Sequence, residues 1–209
     1  NNKLIPVNFF SFYDFFKNLY FETPSPSYMR YPIKTLSKLF DSRVRIINFS
    51  GSLDHSSDDF YRLFENYPDV IWIVAAGNQK VDIDDKENQN KYPLIPQVYV
   101  NKEGKRFDNI INVTVSNYNP QENKSYIREN YGPKFVDISV DSLIRGTSFA
   151  APMVTACIVA ILKKSPKYLS AKEIKELLIK YSIRKAIEAY EETPEGIPVL
   201  DCQNILNNI

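Results

Sequence analysis

Cysteine and histidine are scarce in this sequence, and no charge of either sign dominates it. Two cysteines among 209 residues, Cys157 and Cys202, are too few for a disulfide framework and lack the close spacing of a zinc site. Cys157, set in an apolar run, is expected to be a small core hydrophobe. Lysine plus arginine number 26 against 25 aspartate plus glutamate, a net charge of +1, so there is no global electrostatic case for nucleic acid or an anionic membrane. The most apolar helix-forming run covers about fifteen residues, short of the roughly twenty that a bilayer requires. The chain opens Asn1-Asn2-Lys3, with no methionine, long apolar segment or cleavage signature, so no signal peptide is visible. No internal repeat and no linker divides it. With 44% hydrophobic and 13% aromatic residues, it is long enough to bury one substantial core, and a single α/β domain is expected.

Taken in order, residues 4–10 read as a short apolar strand limited by Pro6. Residues 11–20 and 33–40 read as helices, with a Pro/Ser-rich loop over 23–27 between them. Residues 44–49 are β-branched and apolar and run into the turn Ser50-Gly51-Ser52. Phe60, Leu63, Phe64 and Tyr67 lie at helical spacing within 56–67, and 70–74 is a continuous apolar run of the kind buried on both faces of a sheet. Strand, helix, strand predicts a right-handed parallel crossover. Residues 110–115 form another buried strand, followed by a polar stretch through Asn123, a turn at Tyr131-Gly132-Pro133 and a short strand over 135–138. Ser170 and Glu173 make a capping box ahead of the apolar face Ile174, Leu177, Leu178 and Tyr181. A turn over 194–198 and a short amphipathic segment over 199–206 close the chain.

Two stretches carry candidate chemistry. The polar segment 79–91 holds Asp82, Asp84, Asp85 and Glu87, the best cation candidate by composition. It lacks the glycine and terminal glutamate of the calcium-loop pattern, so a solvated loop is the expectation. The other is Gly146-Thr147-Ser148-Phe149-Ala150-Ala151-Pro152, which runs directly into the apolar helix 153–162. Glycine followed by two hydroxyl residues suits a tight turn feeding an N-cap, and Pro152 belongs in or near an opening turn because it lacks the N–H a helix interior uses. Ser148 is therefore expected at the mouth of a buried core helix, apolar on every face.

Gly-Thr-Ser-x-Ala-x-Pro at the start of an apolar helix resembles the nucleophile motif of the subtilisin-like serine proteases, and further segments follow in that family's order. Asn48 and Ser50 match the strand and loop that line the substrate cleft, and residues 74–78 match the strand end bearing the oxyanion-hole asparagine. Residues 130–138 match the segment before the serine loop, and 196–206 match the closing turn and helix. The resemblance implies a three-layer α/β sandwich with a mainly parallel sheet, its N-terminal strands missing, and residues 1–209 as one partial peptidase domain. It implies Ser148 as nucleophile and Asn78 as oxyanion donor, with the Ser148 backbone N–H assisting at the helix's positive end. Ser50 and Gly51 would form one wall of the primary specificity pocket, and Ala75, Ala76 and Gly77 the other. Ser50-Gly51-Ser52-Leu53 departs from the serine, leucine and two glycines usual on the first wall.

The larger departure concerns the proton acceptor, since a serine hydroxyl needs a histidine oriented by an aspartate. The one histidine, His55, follows the Ser50 strand, where the family has no catalytic histidine, and is expected to be a surface or helix-entry residue. Asp137 matches a structural aspartate and Asp141 is expected to be exposed, so neither is a base. Because residues 3–10 resemble the strand after the histidine-bearing helix, both triad partners are expected upstream of Asn1. The implied function is peptide-bond hydrolysis through an acyl-enzyme, with this chain alone inactive or weakly active. The alternatives are a non-catalytic peptide-binding protein and an inactive remnant. Expected partners are an extended polypeptide and an N-terminal fragment of the same domain, with no nucleic acid and no membrane. No cofactor is expected; the family leaves room for a structural calcium that no specific motif here supports.

Overall fold

The computed structural model describes residues 44–53, 58–122, 124–182 and 196–209. The expected strand over 4–10, the helices over 11–20 and 33–40, the loop between them and His55 lie outside these residues. Continuous apolar runs supply the centre of the sheet. Strands β1 (Ile46–Phe49), β2 (Ile71–Ala75) and β3 (Ile110–Asn119) pair in parallel in that order, and β5 (Ile138–Asp141) pairs in parallel with β3. One strand, β4 (Lys124–Ile127), runs antiparallel to the far end of β3. The sheet is thus mixed but mostly parallel, as expected for strands buried on both faces.

The two-residue period divides those faces. Ile71, Ile73 and Ala75 of β2 join Ile111, Val113 and Val115 of β3 beneath helix α3 (Thr147–Lys164), which contributes Ala150, Ala151, Val154, Cys157, Ile158 and Ile161. Trp72 and Val74 point the other way, into an aromatic cluster with Phe49, with Phe60 and Phe64 of helix α1 (Asp58–Asn66), and with Tyr99. Within it the rings of Phe60 meet those of Phe64 and Trp72 edge-on, at centroid separations of 5.3 and 5.9 Å. Helices on both faces of one sheet give the three layers. Ser170 caps helix α4 (Ala171–Tyr181) through a complete capping box with Glu173, as its sequence predicts.

Four expectations need correction. The polar stretch after 115 continues as strand, because β3 runs ten residues and turns into β4, where Ser125 and Ile127 alternate inward on an otherwise polar hairpin. The segment 79–91 is more than a solvated loop. It contains helix α2 (Lys86–Lys91), capped by Asp85, and the Asp84 carboxylate accepts the Lys134 and Phe135 N–H groups at 2.8 and 3.0 Å. The short strand lies at 138–141 rather than 135–138, since Phe135 is held in the preceding turn by that same carboxylate. Helix α3 spans eighteen residues, not about fifteen, and among the described residues it alone is long and apolar enough to cross a membrane by length and composition. Its buried face is spent on the sheet, but it is not apolar-buried all round: Phe149 and Met153 are 61% and 48% exposed.

The cysteines also depart from expectation. Cys157 is buried in the core, and it is bonded to Cys202, the first residue of helix α5 (Cys202–Asn207), across 45 positions with Cα atoms 5.7 Å apart. Two cysteines so distant in sequence carry no spacing signal; only the packing of α5 against α3 brings them together. Closing a loop of that length removes about 4 kcal/mol of chain entropy from the unfolded state. Asp141, expected to be exposed, is half-buried and accepts the Ser116 and Ser125 hydroxyls at 2.5 and 3.1 Å.

Asp137 is buried just before β5, where its carboxylate takes both arms of the Arg106 guanidinium at 2.7 and 2.6 Å, the Lys175 ammonium at 2.9 Å and the Asn112 N–H at 2.8 Å. Burial on its own pushes the Asp137 pKa up. Lys175, Arg106 and the hydrogen bonds outweigh it and hold the carboxyl below the ordinary aspartate value. Burial lowers the Lys175 pKa by more than Asp137 raises it.

Two measurements check these supports. Replacing Cys157 and Cys202 by alanine should lower stability in urea by up to about 4 kcal/mol, and dithiothreitol should reproduce that loss in the parent and leave the variant unchanged. Asp137→Asn should cost up to about 3–5 kcal/mol, since it leaves two largely but not fully buried cations without this counter-charge. A folded-state pKa below the unfolded one gives a contribution fully present above the unfolded value of about 4 and lost as pH falls through the folded value. Thermal denaturation should therefore show an acid-induced loss below about pH 4 in the parent that is smaller in Asp137→Asn.

Candidate active site

The amides of a helix's first turn have no partner inside the helix, and at the start of α3 this problem is solved from another element. Gly146 stands at the N-cap with φ 103° and has no side chain to offer. Its positive φ is one that residues with a Cβ seldom adopt. The cap comes instead from Asn78, just past the end of β2, whose Oδ1 accepts the Thr147 N–H at 2.9 Å and the Thr147 hydroxyl at 3.1 Å. The Thr147 hydroxyl oxygen in turn accepts the Gly77 N–H at 3.1 Å. Thr147 is fully buried between the two elements. With Oδ1 committed to Thr147, the exposed Asn78 side chain retains donation through Nδ2 as its remaining chemistry.

Ser148 follows, half-buried, in the first turn of the helix. The expected placement of Pro152 needs refinement, since the helix begins at Thr147 and the proline falls inside it. Its consequence is as the chemistry requires: the residue whose carbonyl would have taken the Pro152 N–H is Ser148. That carbonyl instead accepts the Ser50 hydroxyl at 3.3 Å. Ser50 Oγ accepts the Asn48 side-chain amide at 3.0 Å, and Asn48 Oδ1 accepts the Thr155 hydroxyl one helical turn beyond Pro152 at 3.2 Å. The end of β1 is thus tied to the same helix start as the end of β2.

Asn130 builds the loop that follows β2. Fully buried, it donates to the Ala76 carbonyl at 2.9 Å and to Gln79 Oε1 at 2.8 Å, and its own Oδ1 accepts the Val81 N–H at 3.2 Å. Gly77 has φ 102°, and a Cβ there would lie 2.5 Å from Asn130 Nδ2, so both backbone shape and space demand glycine. Gln97 links the two sides from beneath: Nε2 donates to the Gly51 carbonyl at 3.0 Å and the Ala75 carbonyl at 2.7 Å.

All seven sequence-selected residues, Ser50, Gly51, Ala75, Ala76, Gly77, Asn78 and Ser148, therefore meet at the carboxyl ends of β1 and β2 and the amino end of α3. Three further residues of this constellation, Thr147, Asn130 and Gln97, carry no role in the sequence reading. Thr147 lies inside the motif and could have been singled out as a buried hydroxyl beside a glycine. The partners of Asn130 and Gln97 are distant in sequence, and nothing local marks them. Asp137 and Asp141 are engaged elsewhere, in the ion cluster and with the two serines. The acidic residues Asp82 and Asp84 lie beneath the turn at Gly132, where a Cβ would meet their Oδ1 atoms at 2.7 and 2.6 Å. Burial and the neighbouring Asp82 charge hold the Asp84 pKa up against the two amides it accepts. Among the described residues no group of three or more histidine, cysteine, aspartate or glutamate side chains is placed to hold a metal.

Among solved structures the chain is similar to the A-subunit of the AB5 toxin from E. coli, at 18% identity and a TM-score of 0.66, over 84% of this chain and 65% of that one. It is similar to the patellamide maturation protease PatA, at 15% identity and a TM-score of 0.60, over 84% of this chain and 66% of that one. It is also similar to fervidolysin from Fervidobacterium pennivorans, a keratinolytic enzyme related to subtilisin, at 16% identity and a TM-score of 0.61, over 85% of this chain and 29% of that one. These likenesses carry the fold, and the chain spans just under two thirds of the length of the toxin subunit. No curated protein sequence matches it. A family description, however, covers residues 20–196, taking in residues 50–53, 75–78 and the serine motif, and on that match the chain belongs to the subtilase family.

Proposed function

We propose that this chain is the larger part of a single peptidase domain that cleaves extended polypeptides through an acyl-enzyme on Ser148. The observation that carries the reading is the Thr147 junction: one buried side chain fixes Asn78 against the helix start that presents Ser148, with the Asn78 Oδ1 turned inward. Peptide hydrolysis builds negative charge on the scissile carbonyl oxygen. Asn78 Nδ2 and the Ser148 backbone N–H, at the positive end of an eighteen-residue helix, are the donors for it. Ser148 Oγ bonds to the carbonyl carbon, its proton passes by way of a base to the departing amine, and the C–N bond breaks to leave the ester. Water then releases the acid by the reverse proton path.

The base is a histidine oriented by an aspartate, supplied by a segment of the domain upstream of Asn1. Asp137 and Asp141 are both occupied, and the chain's own histidine, at position 55, comes after β1 and Ser50 in the sequence, where the family has no catalytic histidine. The same chain without that segment would hold an extended peptide between residues 50–53 and 75–78 and turn it over feebly. No cofactor takes part in this reading.

Two experiments test it. Supplying an N-terminal segment with the aspartate and histidine motifs should permit covalent labelling of Ser148 by a serine-directed peptidyl phosphonate, read by intact mass. A folded, complemented protein that stays unlabelled removes the peptidase reading and leaves the peptide-binding one. Within the labelled complex, Asn78→Asp keeps an acceptor for Thr147 and deletes the Nδ2 donor. It should unfold near the parental temperature yet label slower by roughly 10²–10³-fold, a magnitude taken from a subtilisin asparagine and not from this chain.

A further inference from the structure

The geometry points to Gln97 as the residue that sets the depth of the cleft between residues 50–53 and 75–78, and hence restricts the peptide side chain beside the reactive carbonyl to small ones. This inference rests on the peptide-cleft reading of that site. Gln97 is 1% exposed and comes from a segment that belongs to neither wall. It is held under the first wall by a two-way backbone pairing, in which the Leu53 N–H reaches the Ile95 carbonyl at 2.7 Å and the Ile95 N–H returns to the Leu53 carbonyl at 3.2 Å. Its own carbonyl accepts the Asn112 side-chain amide at 2.7 Å, so its backbone is pinned to β3 as well.

From this anchored position one nitrogen bonds both walls. Nε2 donates to the Gly51 carbonyl at 3.0 Å and to the Ala75 carbonyl at 2.7 Å, so the two oxygens can stand no farther apart than the sum of these lengths, 5.7 Å. An aromatic ring lying between two walls needs contact distances of about 3.5 Å on each side, or roughly 7 Å between the walls. A long aliphatic side chain likewise needs the volume that the carboxamide fills. A methyl or hydroxymethyl group stops short of it. The carboxamide oxygen Oε1 is buried with no hydrogen-bond partner among the described residues, so Gln97 is held by its donor side and its backbone. Walls of small residues alone would predict an open slot; the stitch across their carbonyls closes it.

Binding of cleavage products tests this without requiring turnover. Acetylated tetrapeptides with a free carboxylate and a terminal alanine, leucine or phenylalanine would be titrated into the full 209-residue chain by calorimetry. The alanine peptide should bind at least about tenfold more tightly than the phenylalanine peptide, the size of effect expected of a pocket that excludes several carbons. Gln97→Ala should erase or invert that ranking, and Gln97→Met, which refills the space without a donor, should retain it. Should Gln97→Ala fail to unfold cooperatively, Gln97→Ser leaves a hydroxyl for one carbonyl and serves in its place. Equal or tighter binding of the phenylalanine peptide by the parent, or an unchanged ranking in the folded small variants, overturns the inference alone. Absence of binding by every peptide to the folded parent overturns the cleft reading and this inference with it.

Discussion

Helix α3 cannot cap itself, and much of the arrangement follows from that. Gly146 supplies the backbone angle needed to turn the chain into the helix but no acceptor for its first amide. Asn78 supplies the acceptor from the end of β2, and the Thr147 hydroxyl closes the contact by accepting the Gly77 N–H. A strand end and a helix start thereby become one unit. The same hydrogen bonds that satisfy a helix terminus orient an amide donor beside a serine, so the geometry of the site is a by-product of satisfying buried backbone. Pro152 extends the logic, because the carbonyl it leaves unclaimed in the helix is the one that meets Ser50 just past the end of β1.

The surrounding structure holds these elements at fixed levels. Strands β2 and β3 are sealed on one face by α3 and on the other by the aromatic cluster around Trp72 and Phe64. Buried or half-buried polar residues then fix the loops the apolar core cannot specify: Asn130 beneath 76–81, half-buried Asp84 beneath 134–135, and Asp137 between Arg106 and Lys175. Each is a side chain bonded mainly to distant partners. A core of interchangeable aliphatic residues tolerates small slips, and these directional contacts do not.

That division explains what could be read from the residues alone. The capping box at Ser170 and the β2 run are local patterns, and each stands where its pattern places it, whereas the hydroxyls expected to feed the cap of α3 lie inside the helix behind Gly146. The subtilase fold and the gathering of residues 50–51 and 75–78 around the serine motif were legible through the order of segments. Hairpin β3–β4 was not, because its inward residues include serine, and polar composition masked a strand buried by its neighbours. Nor was the cross-link between α3 and α5, since a pair 45 positions apart advertises nothing until the helices pack. Gln97 and Asn130 were invisible for the same reason: an amide in a loop acquires meaning only from the carbonyls that surround it.

The bond between Cys157 and Cys202 also changes what a break in the backbone would do. It closes a covalent ring that includes the lower part of the serine-bearing helix, all of α4 and the first residue of α5. A single cut within that ring yields two polypeptides that remain one molecule, with α5 still fastened to the helix that carries Ser148. In a milieu containing proteolytic activity, the carboxyl-terminal part of the fold can therefore be nicked without being shed.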